Sequence, residues 1–117
     1  MIGIHQIHDV SIVDIDGELS RHNVEDFDST LTSLSRCSYT NVVLDCEKLR
    51  HLDYRLVQRI ADRIVEFQCN GGDLKVASVS KYVRYIMEAM GLEEELYASV
   101  EDALLSFEQG HDEEALQ

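Results

Sequence analysis

The sequence predicts an α/β fold: a single open, mixed β-sheet of four to five strands with four helices. Two observations carry this reading. Short β-branched runs alternate with segments of helical periodicity along nearly the whole chain. The first two runs are separated only by His8-Asp9, so they form a hairpin and give the otherwise parallel sheet an antiparallel edge. The 117 residues suit one domain, and the absence of proline suits short turns rather than a linker.

The elements follow in order. Ile2–Ile7 ("IGIHQI") alternates apolar and polar residues and reads as an edge strand; Val10–Ile15 ("VSIVDI") is its β-branched partner, ended by "DGE" at Asp16–Glu18. Val24, Phe27, Leu31 and Leu34 recur at helical spacing. Asn23 or Ser20 can cap that helix, and Glu25, Asp26 and Asp28 lie where its dipole favours acid. "NVVLD" (Asn41–Asp45) is a continuous apolar run suited to a central strand. A short charged loop follows. Then Leu56, Val57, Ile60, Ala61, Ile64 and Phe67 share one helical face, with Arg55, Arg59, Asp62, Arg63 and Glu66 opposite. "CNGGD" stops this helix, with Gly71 or Gly72 free to take the left-handed C′ conformation. "LKVASV" (Leu74–Val79) alternates as a strand. Ser80 caps a helix with the stripe Val83, Ile86, Met87 and Met90, ended by Gly91. "ELYAS" is a short last strand. "SVED" at Ser99–Asp102 is a capping box that opens a helix with Val100, Ala103, Leu104 and Phe107 inward.

Composition narrows the function classes. The net charge of −13 repels phosphate backbones and anionic lipid alike, so nucleic acid is disfavoured as a partner. No run of about 18 apolar residues exists to span a bilayer, so direct membrane insertion is not expected. "MIGIHQIHDV" has neither a basic nor an apolar signal region, and a cytoplasmic location is expected. Cys37, Cys46 and Cys69 are odd in number and widely spaced, which suits reduced, buried apolar residues.

No catalytic constellation stands out. G-x-S-x-G, G-x-G-x-x-G and Walker loops are absent, and "NGGD" follows a helix, so it is a C-cap rather than a phosphate cradle. His5, His8, His22, His51 and His111 are scattered, with no Cys or carboxylate at metal-ligand spacing, so neither a metal nor another cofactor is expected. Asp45 ends a central strand, as a phospho-acceptor would, with Asp14 and Asp16 as candidate Mg²⁺ ligands. Lys75, however, lies inside its strand rather than at its end. The plainer reading is that Asp45 bonds loop amides.

One segment is anomalous. Lys48, Arg50, Arg55, Arg59 and Arg63 are five of the ten basic residues and fall within sixteen positions. Asp53 and Asp62 oppose them, so the stretch is locally +3 in a chain at −13. Arg55 sits near a helix start, where a cation is disfavoured by about 0.3–1 kcal/mol. Arg59–Asp62 and Arg63–Glu66 pairs on a solvated face would be a structural explanation. Docking of a partner would be a functional one.

From about Val10 to Phe107 the chain resembles the STAS domain of anti-sigma factor antagonists. The shared features are the strand ending at Asp45, the loop "LRHLD", a long helix ending at "GG", the strand "LKVAS", "VRYIMEAMGLEE", "SVEDAL" and "DGEL" at Asp16–Leu19. The resemblance implies a STAS-like domain over 1–109; the remaining 110–117, within the acidic run "GHDEEALQ", reads as a flexible tail. The resemblance also implies a regulatory binding module, not an enzyme. The partner would be an anti-sigma factor or kinase-like protein, held through the loop and helix start at 46–63. Asp53, Tyr54, Arg55, Arg59, Arg50 and Glu18 are the partner-binding residues so implied. In many members a Ser follows the loop Asp and is phosphorylated by the partner, and the added charge breaks the complex. Here Asp53 matches the Asp, but Tyr54 occupies the Ser slot, Arg55 the next position and Leu56 the Gly slot. The usual switch is therefore expected to be absent. The alternative is a soluble accessory subunit of a lipid or anion transporter, and a homodimer stays open.

Overall fold

Strand alternation sorts the sheet residues between two cores. The computed structural model describes residues 1–92 and 96–116, with side chains described as far as Glu108 in the last helix. The strands are β1 (Ile2–Ile7), β2 (Val10–Ile15), β3 (Gly17–Leu19), β4 (Asn41–Asp45), β5 (Leu49–Leu52), β6 (Asp73–Ala77) and β7 (Leu96–Tyr97). The helices are α1 (Val24–Arg36), α2 (Val57–Cys69), α3 (Lys81–Ala89) and α4 (Val100–Leu116), with a 3-10 turn at Tyr54–Leu56 leading into α2. The main sheet runs β1-β2-β4-β6-β7; β1 is antiparallel to β2 and every other pair is parallel.

On one face Val13, Ile15, Val42, Leu44, Leu74 and Val76 meet Phe27, Leu31 and Leu34 of α1, Ile60, Ile64 and Phe67 of α2, and Val83 and Met87 of α3. On the other, Val10, Ile12, Val43 and Ala77 meet Ala103 of α4, flanked by Val100, Leu104 and Phe107. The mixed five-stranded sheet and four helices agree with the sequence prediction.

Lys75 is the exception on the α4 face. It is buried, and its Nζ donates to Tyr97 Oη (3.0 Å) and Ser106 Oγ (2.9 Å) and lies 3.3 Å from Asp73. The same ammonium sits 5.0 and 4.8 Å from the ring centroids of Tyr97 and Phe107. Burial pulls its pKa down, but the bond to Tyr97 and the charge of Asp73 outweigh that and hold it above the ordinary value.

Several expectations are corrected. "DGE" is not merely the end of a strand, and "LRHL" is not loop. Gly17–Leu19 and Leu49–Leu52 form β3 and β5, a separate two-stranded parallel ribbon. The strand "LKVASV" stops at Ala77, because Ser78 turns the chain with φ of +63°. Met90 is exposed at the end of α3, and Leu92 is buried beyond the turn. Only Cys46 is buried, and burial pushes its thiol up to about 12; Cys37 and Cys69 are exposed at the ends of α1 and α2. Of "ELYAS", Leu96–Tyr97 forms β7, while Glu95 lies outside the described residues. The backbone of α4 runs to Leu116. Side chains from 109 on lie outside the described residues, and so does the flexibility expected of 110–117.

The caps behave as their chemistry dictates. Ser80 Oγ accepts from Val83 N, and Ser99 Oγ accepts from Asp102 N. At α1 the Asn23 side chain instead reaches back, accepting from Ser20 N and donating to Glu18 O. The glycine pair after α2 divides two duties. Gly71 takes the left-handed conformation at φ +87°. Gly72 passes so close to the turn before β4 that a Cβ would stand 1.9 Å from Thr40 O. Gly72→Ala is expected to cost about 1–3 kcal/mol in denaturant unfolding, whereas Gly3→Ala, which meets only a side-chain oxygen at 3.9 Å, changes little.

Candidate functional site

The anomalous segment is built from the core outward. In β5, Leu49 and Leu52 are buried, so Arg50 and His51 between them are left exposed. Glu18 of β3 pairs with His51 in register and is likewise exposed. The ribbon is closed at one end by Gly17 N donating to Lys48 O and at the other by Asp53 N donating to Leu19 O. These bonds fix where Asp53 stands, at the mouth of α2.

Asp53 organises the tip. Its Oδ1 accepts from the backbone N–H of Arg55 at 3.0 Å, which caps the 3-10 turn. The same carboxylate takes the Arg55 guanidinium in a fork, Nε to Oδ1 at 3.0 Å and Nη2 to Oδ2 at 2.8 Å. The side-chain and backbone bonds from Arg55 hold the Asp53 carboxyl down at about 2. The cation at the helix start is therefore compensated by the cap itself. Tyr54 projects from this turn at 60% exposure, and the Arg55 guanidinium lies 6.0 Å from its ring centroid.

The other arginines point elsewhere. Arg59 donates to Asp28 of α1. Arg63 donates to Asp28 O (3.2 Å) and Thr32 Oγ1 (3.0 Å), and it pairs with Glu66 at 3.3 Å. The expected Arg63–Glu66 pair is present. Arg59 turns away from Asp62, which instead accepts from Gln58 at 2.9 Å. Arg59 and Arg63 thus join α2 to α1. Among the described residues, Lys48 and Arg50 form no ion pair.

The structure brings Asp53, Tyr54 and Arg55 into one turn, with Glu18 and Arg50 on the adjoining ribbon. Arg59 lies farther along α2, held by α1. Two residues join the surface that the sequence did not single out as site residues. His51 stacks on Tyr82 of α3, ring centroids 6.3 Å apart and 22° from parallel, with Tyr82 Oη 3.5 Å from His51 Nδ1. Tyr82 follows the Ser80 cap and lies off the apolar stripe of α3; its exposure was the available signal.

The other acidic position differs. Asp45 Oδ1 accepts from Glu47 N at 3.1 Å, as the plainer reading had it. Burial, and then the neighbouring Asp14 carboxylate, raise its pKa. Lys75 is held under α4 rather than at the end of its strand. Among the described residues no group of three or more His, Cys, Asp or Glu could hold a metal ion, and no helix is long and apolar enough to cross a membrane.

Comparisons bear on the whole arrangement. The STAS domain description matches residues 1–103. The unphosphorylated anti-sigma factor antagonist SpoIIAA superposes with a TM-score of 0.79 at 20% identity, covering 93% of this chain and 97% of that one. The phosphorylated form of the Bacillus cell fate determinant SpoIIAA gives 0.72 at 19%, covering 92% and 99%. An RsbS variant from Moorella thermoacetica gives 0.78 at 15%, covering 95% and 97%.

Two outcomes follow from the geometry. In a carboxyl NMR titration Asp53 should turn over at about 2, below the ordinary 3.8. A depressed carboxyl favours the fold at higher pH, so the tip's contribution is complete above about pH 4 and disappears as pH falls toward 2. Separately, Arg63→Ala should lower unfolding stability by about 1–2 kcal/mol, and Arg50→Ala by less than about 0.5 kcal/mol.

Proposed function

This chain belongs to the STAS domain family. On that premise we propose that it is a regulatory protein-interaction module, resembling anti-sigma factor antagonists, that acts by binding rather than by catalysis. The partner is an anti-sigma factor or kinase-like protein, and the docking surface is the loop and helix start at 46–63, in the cytoplasm. The domain proper is 1–109, and residues 110–117 lie outside this role.

The observation that carries the reading is the tip itself. Asp53 holds the backbone and guanidinium of Arg55 in fixed geometry, while the Tyr54 ring beside it stays 60% exposed. An exposed aromatic on a rigid turn suits a binding hot spot, because little conformational entropy remains to be lost on docking. Glu18, Arg50 and the His51–Tyr82 stack border the anchor with polar and aromatic groups. Arg59 contributes by fixing the angle of α2 through Asp28.

The switch is the second part of the proposal. SpoIIAA has been solved in unphosphorylated and phosphorylated forms. In this chain the position that would carry the phosphate is Tyr54. Its hydroxyl stands a full ring beyond where a serine hydroxyl would be, so a Ser/Thr kinase active site cannot reach it in the same pose. The module therefore holds its partner without being released by phosphorylation there.

Tyr54→Ala should weaken capture of the co-purified partner about tenfold or more at nearly unchanged Tm. Wild-type affinity in both Tyr54→Ala and Arg55→Ala would end the docking proposal. Incubation with the partner kinase and ATP should leave residue 54 unmodified by mass spectrometry. Recovery of a transporter ATPase subunit in place of a kinase-like protein would select the accessory-subunit role instead.

A further inference from the structure

β1 is the outer strand of the five-stranded sheet, and its far side pairs with no strand among the described residues. Which of its groups face outward follows from one bonded pair. Asp16 N donates to Met1 O at 2.9 Å, and the Met1 ammonium donates to Asp16 O at 2.8 Å. The register continues Gly3↔Asp14, His5↔Ile12, Ile7↔Val10. Mutually bonded pairs alternate with non-bonded ones in an antiparallel ladder. Gly3, His5 and Ile7 therefore direct their N–H and C=O toward β2. Ile2, Ile4 and Gln6 direct theirs away from the sheet.

This edge lacks the devices that keep edges apart. Its register with β2 runs without a bulge, and the strand holds no proline, no lysine and no acid. Ile4 is 49% exposed. The opposite edge, β7, is two residues long.

We propose that β1 pairs antiparallel with β1 of a second copy of this chain, about a two-fold axis through Ile4. That axis sets Ile4 opposite Ile4 and Ile2 opposite Gln6, which engages every outward N–H and C=O of the strand. It also sets Gly3 opposite His5 of the second copy. Gly3 has no side chain, and a Cβ there would stand 3.9 Å from Asp14 Oδ2. The incoming imidazole therefore finds room beside Asp14, which already lies 3.7 Å from its own His5.

Charge selects a second copy for this edge and this edge for a second copy. Each chain carries −13, so most pairings of two copies set acid against acid. Ile2–Ile7 has no Asp, Glu, Lys or Arg, and two such strands meet without that repulsion. A single strand pair falls short of the roughly 1,200 Å² of a stable interface, so the dimer is weak and concentration-dependent.

Sedimentation of the full chain from about 10 μM to 1 mM tests the proposal. The dimer fraction should rise with concentration and rise again between about 0.05 and 0.5 M salt, because salt screens the like charges. Amide exchange at Ile2, Ile4 and Gln6 should slow as dimer forms, while Gly3, His5 and Ile7 hold their rates. Ile4→Lys sets two like charges on the axis and should weaken the dimer at least about tenfold with Tm unchanged. Tyr85→Lys makes the same charge change at a 74% exposed site on α3 and should leave the dimer intact. A wild-type chain that stays monomeric at high salt, even one that pairs β1 with another protein's strand, overturns the proposal. So does an Ile4→Lys dimer as tight as wild type, or slowed exchange confined to amides outside β1.

Discussion

The burial of β4 on both faces is the constraint from which the rest of the molecule follows. Val42 and Leu44 lie in the core shared with α1, α2 and α3, and Val43 lies in the core shared with α4. A strand so covered cannot slip in register, because a one-residue shift would exchange its two faces. Parallel pairing to β2 and β6 then brings the carboxyl ends of these strands to one end of the molecule, where Asp14, Asp45 and Ala77 stand in line. Crossover loops leave from that end, and in open α/β sheets it is where binding surfaces collect. The β3–β5 ribbon and the Asp53 turn are the elaboration of this end.

Much of this was legible in the residues. The apolar stripes gave α1 to α4, because each helix buries one face and leaves the other in water. Short apolar runs marked β2, β4 and β6, which are covered on both faces, and alternation marked the exposed edge strand β1. The β3–β5 ribbon was hidden because "GEL" and "LRHL" are too short and too polar to show a period. Only Leu19, Leu49 and Leu52 reach the core. The destination of Arg59 was hidden as well: Asp28 lies 31 residues earlier and becomes a neighbour only once α1 and α2 pack side by side. The residues of the tip were readable as a local anomaly. Their geometry was not, since nothing in "DYRL" announces that the aspartate both caps the turn and grips the arginine. Cys37 and Cys69 show the opposite failure: a residue type usually buried is carried outward by its place at a helix end.

The cluster of positive charge therefore has two uses. Arg59 and Arg63 are internal fasteners between helices, tied through Asp28 and Thr32. Arg55 is immobilised by its own cap. The resulting tip is less basic than a count of residues suggests, and its distinguishing property is rigidity beside an exposed ring. Under the proposed docking role, a partner would meet a shaped aromatic anchor more than a field of charge, and recognition would rest on fit over long-range attraction.

Lys75 sets how the two sides of the sheet differ in their charged ties. Its ammonium is tied at once to the last strand through Tyr97 and to the last helix through Ser106. If α4 lifts, the ammonium loses Ser106 and the Phe107 ring and keeps Tyr97 and Asp73. Detachment of that helix therefore carries the loss of a charge-assisted bond on top of its apolar contacts. On the opposite face the charged ties, Arg59 and Arg63 to Asp28, join helix to helix rather than helix to strand.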